Sequence, residues 1–325
     1  MTDSIQHAAG SQLPVSPDVI QSDPELQPPD IQTAAPSRSL WVDVWDHVRH
    51  SPMFWISTAL ILLFVVMAAV PWLFTDKDPY YCDLNMARVG PGPDALFGFD
   101  VQGCDVYART IYGARASILV GLFAALTTAL LGSTLGTLGG YVGGWVDTVL
   151  SRLADIFFAI PLLLGGIIIL YTWRTELGAP YFLVVGKVVF ALAILGWPNI
   201  FRLMRSSVLQ TRPLEYVQAA RALGATPWRV VSSHIVPNSM APVIVVSTID
   251  LGAYIATEAT LSYLGIGLQA PTISWGLAIS NASGIGFIRS APHMLLFPSL
   301  FLSLTVLAFI MLGEVIRDAL DPKLR

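Results

Sequence analysis

The sequence predicts an all-α integral membrane protein that crosses the bilayer about six times, with both ends on the same side. Three observations predict it. Of 325 residues, 54% are apolar and only 12% charged; that is about half the charged share of a soluble domain, too little to build a water-facing surface. Six apolar stretches lie near 54–74, 116–141, 153–173, 181–203, 239–264 and 295–316, each close to the roughly 20 residues a helix needs to cross the hydrocarbon core. The segments between them differ in basic content. With the N-terminus inside, the inner segments hold eleven Lys and Arg against six outside, with Lys187 within a span. That bias places both termini in the cytoplasm.

Residues 1–38 hold six prolines, five acids, one base (Arg38) and no aromatic residue. They offer little surface to bury against the entropy of ordering, so a disordered cytoplasmic tail is expected. No secretory signal peptide is expected, because the first apolar run begins only near Met53. In 39–50, Trp41, Val44, Trp45 and Val48 share one helical face, while Asp43, Asp46, His47 and Arg49 share the other. This predicts an amphipathic helix at the bilayer interface, N-capped by Ser39. Residues 51–325 then form the transmembrane domain, with a long outer loop at 75–115.

The second span contains Gly121, Gly132, Ser133, Gly136, Gly139 and Gly140. These either let a neighbouring helix approach by backbone contact or loosen a lipid-facing helix. Pro161 and Pro198 predict kinks in the third and fourth spans. Lys187, seven residues into the fourth span, is expected to extend its ammonium to the outer interface.

Several function classes are excluded or unsupported by the residues. No basic block suggests a nucleic-acid partner. Gly186-Lys187-Val188 does not complete the G-x4-G-K-[ST] loop that cradles nucleotide phosphates, so the chain is not expected to hydrolyse ATP. Neither a nucleophile–base constellation nor metal-ligand spacing is present; no catalytic residue and no metal site is assigned.

The most informative segment is the inner connection 204–238. It is far longer than a simple helix–helix link requires. Pro213 suits a first helical position, Glu215 the positive end of the helix dipole, and Gly224 a C-cap of positive φ. Thr226 and Pro227 then read as the N-cap and first residue of a second helix, ended by Pro237. Ala219 and Ala220 leave a shallow spot where a partner could come close.

Here the residues resemble a known family. Gln218-Ala219-Ala220, Gly224 and His234-Ile235-Val236-Pro237 fall at the spacings of the E-A-A, x3, G, x9, I-x-L-P coupling loop of ABC-importer permeases, with Gln218, His234 and Val236 as departures. The resemblance to dipeptide, oligopeptide and nickel permeases, in particular the second, C-type permease, extends over about 50–325. It includes Ile111-Tyr112-Gly113-Ala114-Arg115, Arg152-Leu153-Ala154-Asp155, and Glu258-Ala259-Thr260-Leu261-Ser262-Tyr263-Leu264-Gly265-Ile266-Gly267 followed by Pro271 and Ser274-Trp275-Gly276.

The resemblance implies the type I ABC-importer permease fold in a bacterial plasma (inner) membrane. It implies a second homologous permease subunit, two ATPase subunits that carry the ATP and Mg, and an extracytoplasmic substrate-binding protein. It also implies that the 213–237 hairpin couples to an ATPase through Glu215, Ala219, Ala220, Gly224 and Pro237. The implied cargo is a di- or oligopeptide, with nickel complexes or glutathione as the alternative. An ion-coupled secondary transporter would leave the hairpin unexplained.

Two further sets stand out. Asp250, Tyr254 and Glu258 step by four along the fifth span, and an ionised carboxylate in mid-bilayer costs about 2.5–3.5 kcal/mol on insertion scales. The three either line the pathway or bond neighbouring helices. Cys82 and Cys104, the only cysteines, both fall in the outer loop, an oxidising setting. A disulfide is expected there, the alternative being two free thiols. Relatives carry Gly-Arg-Asp where this chain has Gly103-Cys104-Asp105.

Overall fold

Proline sets the limits of the first spanning helix. Helix α1 (Pro52–Ala69) begins with Pro52 at its first position, where the missing N–H is no loss, behind an extended Ser51. It ends at Val70, which Pro71 pushes out of helical torsions. The computed structural model describes residues 45, 46, 48–173, 176 and 178–320. The tail at 1–38, Ser39, Trp41, Asp43, Val44 and His47 lie outside the described residues, as do 321–325. Of the expected amphipathic helix, Trp45, Asp46, Val48 and Arg49 are described and helical.

Helix α2 (Val106–Val142) starts ten residues earlier than its apolar stretch, because the Asp105 carboxylate accepts from the Ala108 N–H at 3.0 Å and caps it. At 37 residues it is about 55 Å long, well beyond the bilayer core. The expected third span at 153–173 is not one kinked helix. It divides into α3 (Gly144–Phe158) and α4 (Leu162–Thr172), bent by 84° at the break before Pro161. The 11 residues of α4 rise only about 16 Å, too little to cross alone. Helix α5 (Tyr181–Thr211) continues without a break through Pro198. A hairpin of α6 (Glu215–Ala222), α7 (Pro227–Val230), a π turn (Val231–Ile235) and α8 (Val236–Ser239) leads into α9 (Ala241–Tyr263). Two short helices, α10 (Trp275–Ala282) and α11 (Ile285–Ser290), precede α12 (His293–Leu320). Among the described residues five helices are long and apolar enough to cross a membrane, six if the bent pair counts as one span.

The glycines of α2 pack rather than loosen. A Cβ at Gly132 would stand 2.6 Å from Ile200 Cβ, and one at Gly136 2.7 Å from the Phe201 carbonyl oxygen. Gly132, Gly136 and Gly140 form one row at four-residue steps, and α5 lies along it in backbone contact. One core joins Ala116, Val120 and Ala124 of α2 to Val188 and Leu192 of α5 and Leu261 of α9. A second joins Phe64 of α1, Ile118 of α2, Ile255 of α9 and Phe309 of α12 around the fully buried Trp275.

These contacts define two ends. At one, Val48 packs on Val315 and Ala319 near the end of α12, so the start of α1 and the end of α12 share a side. Tyr141 at the end of α2 packs against the hairpin. At the other end the Arg115 guanidinium donates to the Ala68 and Ala69 carbonyls at 3.0 and 3.2 Å. Trp275 Nε1 donates to the Thr110 carbonyl at 2.9 Å. Lys187 is buried, with its ammonium 5.1 Å from the ring centroid of Trp173 at the turn that follows α4.

Candidate functional site

The hairpin between α5 and α9 is built on buried anchors. Val217 of α6, Val230 of α7 and Ile235 of the π turn are fully buried against Met204, Val208 and Val243. Each apolar anchor faces the bundle, which fixes the rotation of both arms. At the root, Ser239 Oγ donates to Thr211 Oγ1 at 3.1 Å. Pro213 falls in the preceding turn, and α6 begins at Glu215 with no side-chain cap. Gln218, where the family pattern has Glu, donates to the Arg212 carbonyl at 3.2 Å and ties α6 back to that turn.

The tip is a Schellman cap. Ala225 N–H donates to the Ala220 carbonyl and Gly224 N–H to that of Arg221, at 3.1 and 2.9 Å, with Gly224 at φ +82°. Thr226 Oγ1 then accepts from the Arg229 N–H, and Pro227 opens the second arm. Pro237 does not end that arm. The ring cannot donate, so the helix widens to a π turn ahead of it. Asn238 Nδ2 supplies a donor to the His234 carbonyl at 2.7 Å. Helical torsions at Met240 carry the chain on into α9.

Of the coupling set, Glu215 and Ala219 are exposed at four-residue steps on α6, with Ala220 partly exposed beside them and Gly224 at the tip. Pro237 is exposed on the other arm, next to the root. Two residues of this surface were missed in the sequence. Leu223 and Trp228 are 89% and 79% exposed on either side of the Gly224 turn. Their signal was legible, since a leucine and a tryptophan flanking a glycine turn lie out of phase with the valine anchors. Leu223 extends the Glu215–Ala219 row by a further step of four.

Helix α3 is clamped to α5 beside this hairpin. Asp147 accepts from both Nε and Nη2 of Arg205, and Asp155 accepts from Arg202 Nη2 at 2.8 Å. A paired guanidinium and carboxylate give this contact a fixed geometry.

The expected pathway trio divides. Tyr254 and Glu258 are 5% and 0% exposed, packed inside the chain, and are not open to a path running past it. The Tyr254 hydroxyl lies against Gly196 of α5 beside Thr128. Ser262 Oγ donates to Glu258 Oε1 at 2.7 Å and accepts from the Leu268 N–H, so Glu258 organises the loop after α9. The four-residue step that grouped them points inward beyond Asp250. Asp250 alone stays partly exposed.

In the loop between α1 and α2, Cys82 and Cys104 form a disulfide. Arg109 Nη1 reaches Asp100 Oδ2 at 2.6 Å and Cys104 Sγ at 3.3 Å, and Lys77 Nζ reaches Asp105 Oδ2 at 2.7 Å. No group of acids, histidines and cysteines suited to a metal ion occurs among the described residues.

Comparison with known proteins agrees with this geometry. Residues 110–325 match the model of the binding-protein-dependent transport system inner membrane component, and 39–91 match the N-terminal TM domain of oligopeptide transport permease C. The chain is 37% identical over 289 residues to the oligopeptide transport system permease protein OppC of Bacillus subtilis (strain 168), covering 89% of this chain and 92% of that one. It is 34% identical to the dipeptide transport system permease protein DppC of the same strain, covering 89% and 88%. It is also 34% identical to the glutathione transport system permease protein GsiD of Shigella flexneri serotype 5b (strain 8401), covering 94% and 96%. Among solved structures, a chain of the MetNI methionine ABC transporter in an inward-facing form superposes with a TM-score of 0.50 at 19% identity, over 65% of this chain and 96% of that one, a likeness of fold. A multi-pass bundle, a hairpin anchored at one end and matches across nine-tenths of full-length relatives lead to one assignment: the chain belongs to the inner membrane component family of binding-protein-dependent transport systems, as a permease subunit of the oligopeptide permease C type.

Proposed function

We propose that this chain is one half of the translocation path of an ATP-driven importer of di- or oligopeptides in a bacterial inner membrane. The other half is a second homologous permease subunit. Two ATPase subunits bind the ATP and Mg on the cytoplasmic side, and an extracytoplasmic binding protein delivers the cargo. The chain itself is not a catalyst. Both termini and the hairpin are cytoplasmic in this reading, which the eleven-to-six distribution of basic residues supports.

The observation that carries the reading is the hairpin's split surface. Val217, Val230 and Ile235 lock it to α5 and α9, while Glu215, Ala219, Leu223 and Trp228 face outward. An exposed leucine and tryptophan on a cytoplasmic tip are a partner's contact. Docked there, an ATPase moves α5 and α9 together, because the Ser239–Thr211 bond ties the end of α5 to α8, which leads into α9. The peptide cargo is supported by the relatives named for oligopeptide and dipeptide transport. Glutathione is the second reading, favoured by the relative named for its transport. Uptake of labelled dialanine, a tripeptide and glutathione into cells with and without this chain tests both. Peptide uptake that needs the chain is the expected result, and uptake of glutathione alone would select the second reading.

A further inference from the structure

The exposed face of α9 differs from that of every other long helix. On α1, α2, α5 and α12 the exposed positions include Leu62, Leu126, Leu130, Phe190, Leu300 and Leu307, a surface for lipid. Through the middle of α9 Ala253 and Thr260 are exposed and Asp250 and Thr257 partly so, with Leu251 and Ala256 partly covered beside them, and no large apolar side chain is exposed before Tyr263. The remaining faces are taken. Gly252 meets Val306 and Phe309 of α12, Ile255 meets Gly121 of α2, and Tyr254 meets Gly196 of α5. Thr257 and Thr260 each donate to their own backbone, to Ala253 and Ala256 at 2.8 Å, which leaves the hydroxyl oxygens outward as acceptors.

Asp250 is also set apart by charge. The acids of α3 are matched, Asp147 by Arg205 and Asp155 by Arg202. Asp250, near the middle of α9, makes no hydrogen bond or ion pair among the described residues. An ionised group held at that depth without a partner is costly against lipid and calls for water or a mobile cation. We infer that the Asp250–Ala253–Thr257 face lines the aqueous path, and that the Asp250 carboxylate is a transient site for a cationic group of the passing substrate, such as the ammonium of a peptide's amino terminus. The threonine oxygens supply further acceptors along the same line. This rests on reading the chain as half of an import path.

Cysteine labelling tests it without reference to cargo. The two native cysteines are bonded to each other, so Ala253→Cys adds one reactive thiol about a helical turn from Asp250. In the assembled transporter, water-soluble methanethiosulfonates carrying a trimethylammonium or a sulfonate group are compared. Both are expected to react, and the cation-to-anion rate ratio is expected to fall about three- to tenfold when Asp250→Asn is added. Asp250→Glu should preserve the ratio. A residue 253 thiol that neither reagent reaches with or without ATP overturns the proposal, as does a ratio indifferent to Asn. Loss of the copurifying second permease in Asp250→Asn also overturns it, by making Asp250 a contact between halves. Dialanine uptake by Asp250→Asn should fall at least fivefold while the complex still hydrolyses ATP, and full uptake would overturn the role in transport. A native complex with the expected labelling ratio but no dialanine uptake supports the cation site and removes the peptide reading.

Discussion

The Ser239 hydroxyl donates to the Thr211 hydroxyl at 3.1 Å, a buried contact that joins the end of α5 to the root of the hairpin's second arm across 28 residues of chain. The Thr211 hydroxyl also donates to the Ser207 carbonyl at 2.9 Å, so removing Ser239 leaves it one bond and costs about 0.5–1.5 kcal/mol. Ser239→Ala is therefore expected to lower the melting temperature of the purified complex and to weaken coupling. The ratio of substrate carried to ATP hydrolysed should drop in proteoliposomes. Thr211→Val should cost more, since it strands the buried Ser239 hydroxyl without its acceptor, and adding Ser239→Ala should recover part of that loss. An unchanged ratio in Ser239→Ala would show that the root contact plays no part in coupling.

Gly224 separates conformation from space. Its φ of +82° disfavours a side chain, yet a Cβ there would meet nothing within 4 Å. Gly224→Asn, which tolerates left-handed torsions, should keep most uptake, whereas Gly224→Val should abolish it while membrane insertion and yield persist. The added cost to the free chain is on the order of 1–2 kcal/mol. Normal uptake by Gly224→Val, with copurifying ATPase subunits, would remove the tip from the docking surface.

Leu223 and Trp228 carry the partner contact in the proposed function. Because both are largely exposed, Leu223→Ser and Trp228→Ser should leave the fold intact and reduce retention of the ATPase subunits on an affinity-tagged permease. A combined loss of at least tenfold in retained ATPase is expected, in line with the weight of aromatic and apolar anchors in interfaces. Equal retention by the double variant and the native chain would move the contact elsewhere.

The glycine row of α2 is a packing device. A Cβ at Gly136 would stand 2.7 Å from the Phe201 carbonyl oxygen, a backbone atom that cannot move alone. Gly136→Leu should cost about 3 kcal/mol or more through overpacking and appear as lost membrane yield. Gly186→Ala, on the same fold and with open space around its Cβ, should be tolerated.

Much of this was legible in the sequence, for identifiable reasons. Apolar runs of 20 residues located four of the spanning helices closely, because a segment of that length satisfies its backbone within lipid only as a helix. Pro161 signalled a kink in the third span, and the bend falls there; its size, 84°, and the start of α3 at Gly144 were not legible. The hairpin's cap at Gly224 followed from the need for positive φ. Its passage through Pro237 did not, because the compensating π turn is fixed by the buried Ile235 against α5 and the Asn238 side chain bonds the His234 carbonyl left free. The inward turn of Tyr254 and Glu258 shows the limit of spacing as a guide. A step of four defines a shared face but not which neighbour covers it.

The Cys82–Cys104 disulfide offers the cleanest chemical test in the outer loop. It spans 22 residues, includes Gly103 at φ +74°, and brings the sulfur of Cys104 within 3.3 Å of Arg109 Nη1. Closing a loop of that length contributes about 3 kcal/mol by chain-entropy reasoning. Cys104 is fully buried, so Cys82→Ser should leave a thiol that alkylates only after unfolding. Non-reducing mass analysis of the native chain should show neither cysteine alkylatable. The double variant Cys82→Ser with Cys104→Ser should insert normally but lose thermal stability, with proteolysis of the loop between Asp83 and Gly103 becoming the first cleavage. Two alkylatable thiols in protein taken directly from the membrane would mean that the bond does not form there, leaving the Lys77–Asp105 and Arg109–Asp100 ion pairs and backbone bonds such as Asp83 N–H to the Gly103 carbonyl at 3.0 Å to hold the loop.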